Sequence, residues 1–557
     1  MPGKIQLAWM QARRWFTHEE RREQHTDVVL SVVIGALVGL VTVAFILLTG
    51  RLAGRMYPPG SAPWRRLLIP IGGALLTGWL LYRFFPEARG SGIPQTKFAL
   101  FIRDGFISLR TVIGKFLCCS GSLASGIALG REGPSVQIGA GVASVLARNF
   151  GLSPARVRQL IPVGCSAALA AAFNTPIAAV LFSLEEILGD LHAPVLGSVV
   201  VSSATSWIVL HLFLGDEPLF HVPPYQLVNP AEFGVYAVLG VVGGLGSVAF
   251  VKLLLGLRIA FRKLPKRTLW AQPAVGGLVV GLLALFIPEV LGVGYDFVER
   301  VLGGDMGLQA VALLAILKIV ATATSYSSGN AGGIFGPSLF IGAMIGASVG
   351  HVAHSAFPAW TANAGAYALV GMGTAFAGII RTPFTSVIMI FEMTRDYSII
   401  VPLMISNMIS FFVSYALQRK PIYEALAAQE GVHLPGADVR EHILARQVGQ
   451  VMHSSSIPSG TPRETAVKAI QAAHVSALPL TAGERLIGLL KSDGSTSAIP
   501  DEGFVHADHP ISMALERMGK TGLDVLPVVS RADLGSYIGT ITLADVLRGY
   551  GVREGAA

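Results

Sequence analysis

The sequence predicts a polytopic α-helical membrane protein with an internal repeat and broken helices, followed by a small α/β module on the cytoplasmic side. Three observations carry that prediction. Of the 557 residues, 52% are hydrophobic and only 14% charged, against about 25% charged in ordinary soluble proteins. The apolar region also resembles itself at a fixed spacing. Charged and polar residues then return after Pro421-Ile422-Tyr423.

The first span is the plainest. Val28 to Gly50 has no charged residue and is long enough, at about 1.5 Å per residue, to cross a hydrocarbon slab of about 30 Å. Residues 1–27 read as an amphipathic segment rather than a secretory signal. Its Lys4, Arg13, Arg14, Arg21 and Arg22 give a basic excess that places the N-terminus in the cytoplasm. A net charge of +8 fits basic loops facing anionic lipid, and no aromatic-basic pattern points to nucleic acid. Cys118, Cys119 and Cys165 lie in apolar runs without metal-ligand spacing, so they read as packing residues and no metal is expected.

Further apolar stretches fall near residues 67–85, 112–130, 163–188, 194–214, 232–254, 272–292, 308–325, 334–356, 366–392 and 399–417. Many of the 64 glycines sit inside them, where small residues let helices approach closely or break. Laying residues 115–187 over 318–394 puts Lys115 on Lys318. Gly130-Arg131-Glu132-Gly133-Pro134 then falls on Gly333-Ile334-Phe335-Gly336-Pro337 at an offset of 203. After an insertion, Gly164 meets Gly371, Thr175-Pro176 meets Thr382-Pro383 and Glu185 meets Glu392 at an offset of 207. The repeat halves are placed at about 28–215 and 232–424. Interrupted halves of this kind form transport sites between them at mid-membrane; an inverted relation is expected, although spacing alone does not set it.

Residues 425–445 read as a linker and 446–500 and 501–557 as two small repeats. Each has a helix, a buried strand, a turn and a second strand: Ser476-Ala477-Leu478-Pro479-Leu480 with Leu486-Ile487-Gly488-Leu489-Leu490, then Asp524-Val525-Leu526-Pro527-Val528-Val529 with Tyr537-Ile538-Gly539-Thr540-Ile541. This tail resembles a CBS pair. The resemblance implies that Gly539-Thr540-Ile541-Thr542-Leu543-Ala544-Asp545 could present Thr542 and Asp545 to an adenine nucleotide, a structural dimerisation role being the alternative. The first repeat lacks that spacing, and its Gly- and Ser-rich end leaves little room for a closing helix.

An anion in a low-dielectric medium faces a desolvation cost of tens of kcal/mol by idealised estimates. Helix N-termini can replace its hydration with backbone N–H groups and a positive dipole end. Three glycine-rich breaks supply such starts: Gly90-Ser91-Gly92-Ile93-Pro94, Gly130-Arg131-Glu132-Gly133-Pro134 and Gly333-Ile334-Phe335-Gly336-Pro337. In this order, and with Tyr423 after them, they resemble the signatures of the CLC family of chloride channels and chloride/proton exchangers over about residues 28–424. The resemblance implies the CLC fold and a chloride site formed by the Ser91 and Tyr423 hydroxyls with the backbone N–H groups of Ile334 and Phe335. A helix N-cap is the alternative role for Ser91, and an interfacial anchor for Tyr423.

The resemblance also makes Glu132 the gating glutamate, which competes with chloride when ionised and swings away when protonated. Glu186, aligned through Asn174-Thr175-Pro176, falls at the internal proton-transfer glutamate of the exchangers, whereas Met393 occupies its repeat position. Acids at both stations favour exchange over a passive channel gated by Glu132. Glu185 and Glu392, paired by the repeat, suggest a shared capping or bridging role. Lys115 and Lys318 read either as raising the potential along the anion route or as snorkelling to an interface. Gln95-Thr96-Lys97 departs from many bacterial exchangers, which carry acidic residues there. No catalytic motif or required cofactor appears. A homodimer in a bacterial inner membrane, with both termini cytoplasmic, completes the expectation.

Overall fold

Prolines at helix starts and positive-φ residues at helix ends divide the membrane unit into two matching series. The structure is a computed structural model that describes residues 19–432 and 446–550, except 192, 217, 224, 226, 474 and 501. The first series is α1 (Glu19–Met56), α2 (Pro63–Arg83), α3 (Ile93–Ile102), α4 (Leu109–Ala124), α5 (Glu132–Asn149), α6 (Pro154–Phe173), α7 (Pro176–Phe182) and α8 (Leu196–Leu214). The second is α9 (Glu232–Arg262), α10 (Gln272–Phe286), α11 (Tyr295–Leu302), α12 (Leu308–Ser327), α13 (Phe335–Ala356), α14 (Ala364–Ile380), α15 (Pro383–Thr394) and α16 (Ile400–Leu417). α17 (Ile422–Gln429) follows and runs into the stretch expected as linker. Residues 1–18 of the expected amphipathic segment, and 433–445 of the linker, lie outside the described residues. Six helical runs among the described residues are long and apolar enough to cross a membrane.

Each helix of the first series has its mate eight places later, so the duplication is wider than the overlay starting at Lys115 indicates. Even the short turn Pro86–Ala88 is matched by Pro288–Val290. Mates also touch, α2 against α10 and α7 against α15. At the centre, the Gly130 N–H donates to the Gly333 carbonyl and the Gly333 N–H to the Gly130 carbonyl, both at 2.7 Å. Repeat-related residues that exchange identical bonds are what a two-fold relation between the halves requires.

Two predicted single stretches are in fact helix pairs. The run over 163–188 breaks at Asn174 (φ 59) and that over 366–392 at Arg381 (φ 70), each followed by Thr-Pro. A left-handed residue ends one helix, and proline, whose missing N–H costs nothing at a helix start, begins the next. Beyond α7 the chain widens into a π-helical turn, Ser183–Leu188. Close packing is duplicated as well: a Cβ on Gly139 would lie 2.3 Å from the Gly164 carbonyl oxygen, and one on Gly342 would lie 2.3 Å from that of Gly371. Cys118, Cys119 and Cys165 are buried and free.

The second compact unit is described from residue 446. Its first repeat forms a sheet in the order β1 (Ile457–Pro458), β2 (Ala477–Ala482), β3 (Arg485–Lys491), β4 (Thr496–Ser497), with α18 (Arg463–Ala472) between the first two strands. Its second has α19 (Ile511–Thr521), the antiparallel pair β5 (Val525–Val529) and β6 (Tyr537–Thr542), and the closing helix α20 (Leu543–Gly549). Ala477, Leu489 and Val525 form a shared apolar cluster that joins the repeats. No helix forms between Ser497 and Ile511 among the described residues, so the first repeat does lack its closing helix.

Candidate anion and proton site

The three glycine-rich breaks meet at the two-fold centre, and glycine is what allows it. A Cβ on Gly92 (φ 104) would lie 2.7 Å from the Gly133 carbonyl oxygen, and one on Gly133 would lie 2.8 Å from that of Ser91. The N-termini of α3, α5 and α13 therefore converge, and their first N–H groups have no partners within the helix. Gly92, not Ser91, is the N-cap of α3, which corrects the capping alternative. Gln95 braces this loop, its Oε1 accepting from the Gly92 N–H at 3.0 Å and its Nε2 donating to the Arg89 carbonyl at 3.2 Å. Ile93 and Pro94 open α3, Gly336 and Pro337 lie in the first turn of α13, and Arg131 and Pro134 flank the start of α5.

Ser91 is fully buried and Tyr423 is 1% exposed, yet among the described residues neither hydroxyl makes a hydrogen bond of acceptable geometry. Buried polar groups of this kind are exceptions that need an account. Tyr326 comes within hydrogen-bonding range of Ser91 and within electrostatic reach of Tyr423. Tyr423, at the start of α17, is also within reach of both Glu132 and Glu186. Ile334 is the N-cap of α13, and Phe335 packs its ring against Phe173, Phe182 and Phe376.

Glu132 is fully buried. Its Oε2 accepts from the Gly336 N–H at 3.2 Å, in the first turn of α13, and its Oε1 from the Tyr295 hydroxyl. A carboxylate thus sits where a helix N-terminus favours an anion. The Nε of Arg131 is 3.9 Å from Glu132 Oε1, and its guanidinium lies 5.7 Å from the centre of the Tyr295 ring. The sequence reading missed Tyr295. It belongs to a fourth break, Gly292-Val293-Gly294-Tyr295, the repeat mate of Gly90-Ser91-Gly92-Ile93 at an offset of 202, and extending the overlay upstream by one shifted residue would have found it.

The lysines fasten these breaks. Lys115 donates to the Ala88 and Gly90 carbonyls at 3.0 and 2.5 Å, and Lys318 to those of Val290 and Gly292 at 3.1 and 2.7 Å. Both are fully buried, so neither snorkels. Glu185 accepts from the Thr385 N–H at 2.8 Å at the start of α15, and Glu392 accepts from the Ile177 and Ala178 N–H groups at 2.9 and 2.6 Å at the start of α7. Each repeat caps the other's helix, since the local N-cap residues Thr175 and Thr382 make no side-chain cap. Glu186, beside Glu185 on the π-helical turn, instead faces Lys97 of α3, at 2.9 Å. In the second unit, Asp545 accepts from the Thr542 N–H and hydroxyl at 2.9 and 2.7 Å and pairs with His453 at 2.9 Å. Both residues picked out for a nucleotide are therefore engaged in capping α20.

A family model described as voltage gated chloride channel matches residues 72–415, well over half of the chain. The chain belongs to this family. As a CLC protein it also carries a match to the CBS domain over residues 498–551. It is 34% identical over 373 residues to a protein of Ralstonia nicotianae named as a ClcB-like chloride channel protein, with 66% of this chain and 86% of the relative covered. It is 32% identical over 419 residues to the H(+)/Cl(-) exchange transporter ClcA of Cronobacter sakazakii, covering 72% and 90%. Among solved structures, a slow cyanobacterial Cl-/H+ antiporter superposes with a TM-score of 0.67 at 26% identity, covering 72% of this chain and 97% of that one. A eukaryotic CLC transporter shares the fold over 93% of this chain and 97% of its own, with a TM-score of 0.62 at 20% identity. The CLC fold and multi-pass membrane character follow.

Proposed function

We propose that this CLC protein exchanges chloride for protons across the membrane, with Glu132 as the gate and Glu186 as the internal proton station. The observation that carries this is the Glu132 carboxylate at the N-terminus of α13, held by the Gly336 N–H and the Tyr295 hydroxyl. An ionised carboxylate there competes with chloride for the same donors. A protonated one no longer does, and this links proton binding to anion movement. Tyr423, within electrostatic reach of both acids, stands where the chloride and proton routes can meet. The relatives named as exchangers support exchange over a passive channel.

The test is made in reconstituted vesicles carrying an outward chloride gradient. Wild type drives protons uphill; Glu186→Ala loses this while chloride flux continues, and Glu132→Ala loses it too. Chloride flux with no uphill proton movement in wild type makes the protein a channel. The same reading has the chain working as a homodimer in a bacterial inner membrane with both termini cytoplasmic. For the tail, adenine nucleotide at the Thr542 and Asp545 end is the proposal, and calorimetry without heat from mono-, tri- or cyclic dinucleotides removes it.

A further inference from the structure

The departure at Lys97 has a counterpart in space. Its ammonium lies 2.9 Å from Glu186 Oε1, with only 10% and 9% of the two side chains exposed. The pair joins α3 to the π-helical turn after α7, elements that pack together. Lys97 lies about one helical turn beyond Gly92 and Ile93, so the helix whose N-terminus serves the Ser91 break also carries this cation.

Breaking a buried ion pair from one side is costly, because the partner is left charged and unpaired. A proton arriving at Glu186 does this: it binds the carboxylate oxygen that Lys97 holds, and Lys97 becomes a buried cation without its anion. With lysine present, the charge-neutral state of the pair is the proton-free one. With an apolar residue in its place, the neutral state is the proton-loaded one. Among the described residues, the other groups facing Glu186 are the carboxylates of Glu185 and Glu424 and the Tyr423 phenol. None of them supplies a second positive charge.

We propose that Lys97 is a positioning counter-ion for Glu186, favouring its proton-free form and giving way each time a proton passes, so that it sets the pH at which protons join the exchange cycle. The bookkeeping closes without a co-reactant: the proton enters on Glu186, Lys97 keeps its own protons, and the pair re-forms when the proton moves on toward Glu132. The proposal rests on the exchange reading above and deepens it.

The experiment follows proton-coupled exchange against pH in vesicles containing wild type, Lys97→Met or Lys97→Arg, with chloride flux recorded in the same vesicles. For Lys97→Met, the pH of half-maximal coupled exchange moves upward by about one unit, roughly tenfold in proton concentration, while chloride flux stays within about twofold of wild type. Lys97→Arg keeps the charge and the wild-type profile. Should Lys97→Met fail to assemble, Lys97→Gln serves the same comparison. An unmoved profile in the neutral variants, an arginine variant that shifts as far as the methionine one, or an equal fall of both fluxes without a shift overturns the proposal. If wild type pumps and the neutral variants keep its profile, the Lys97 assignment alone falls. If wild type moves no protons uphill, the exchange reading falls with it.

Discussion

Replacing Glu132 tests whether its carboxylate and chloride occupy one electropositive slot. In place, the carboxylate accepts from the Gly336 N–H at 3.2 Å and from the Tyr295 hydroxyl, with Arg131 Nε at 3.9 Å. Hydrogen bonds to charged groups contribute about 1.5–3 kcal/mol each. The Gly336 bond is long and the displaced carboxylate recovers water, so the net preference for the slot is taken as one such bond. At about 1.4 kcal/mol per factor of ten, that lowers apparent chloride affinity by roughly ten- to hundredfold. Glu132→Ala and Glu132→Gln, which remove the competing charge, should each tighten chloride binding by that factor in calorimetry on chloride-free protein at neutral pH. Acidification should bring wild type toward the variants, because protonation discharges the competitor, and should leave the variants where they are. Equal affinities within twofold across all three proteins refute the competition.

Other expectations follow from the scaffold. Gly139→Ala and Gly342→Ala each press a Cβ to within 2.3 Å of a carbonyl oxygen and should destabilise the membrane unit by about 1–3 kcal/mol, whereas Gly197→Ala, with nothing within 4 Å, should leave the detergent melting temperature unchanged. Glu392→Ala removes the cap of α7 and should lower stability by about 1 kcal/mol; Glu185→Ala should do the same for α15, with a double variant less than additive because the capped helices touch. In the second unit, burial, with His506, Arg517 and Arg531 nearby, holds the His509 imidazole below its ordinary value. The folded unit therefore prefers it neutral. Its stabilising contribution is complete above the ordinary value of about 6.5 and is lost as pH falls through the lowered folded value. Hydrogen-exchange protection over residues 505–511 of the full chain, corrected for the intrinsic slowing of amide exchange in acid, should fall on acidification, and His509→Gln should flatten that dependence.

Local chemistry was legible in the sequence and long-range pairing was not. The breaks at Gly90, Gly130 and Gly333 could be read because glycine and proline punctuate a chain wherever they occur. The split of 163–188 was announced by Asn174-Thr175-Pro176 but hidden by the unbroken hydropathy around it. Lys115 and Lys318 stayed undecided because an apolar neighbourhood does not tell whether an ammonium reaches water or a ring of carbonyls. Lys97 and Glu186 are 89 residues apart, and no periodicity connects an acid to a base across that distance.

The duplication sorts what remains. Four pairs of features present in both halves build the scaffold: Lys115 with Lys318 on the loop carbonyls, Glu185 with Glu392 as crossed caps, Gly139 with Gly342 at close helix contacts, and Asn174 with Arg381 at helix ends. The residues assigned chemistry are those the repeat does not copy. Ser91 faces Val293, Glu132 faces Phe335, Glu186 faces Met393 and Lys97 faces Glu299 in the overlay. A two-fold scaffold by itself treats its two ends alike, so a path for protons that runs from one acid to another needs residues that break the equivalence. Adjacent glutamates make the distinction measurable in one protein: alanine at Glu185 should lower thermal stability and leave the ratio of protons to chloride unchanged, while alanine at Glu186, which also leaves the buried Lys97 unpaired and so lowers stability, should abolish proton movement. If proton movement is lost at Glu185 and kept at Glu186, the division between copied scaffold and uncopied chemistry is wrong.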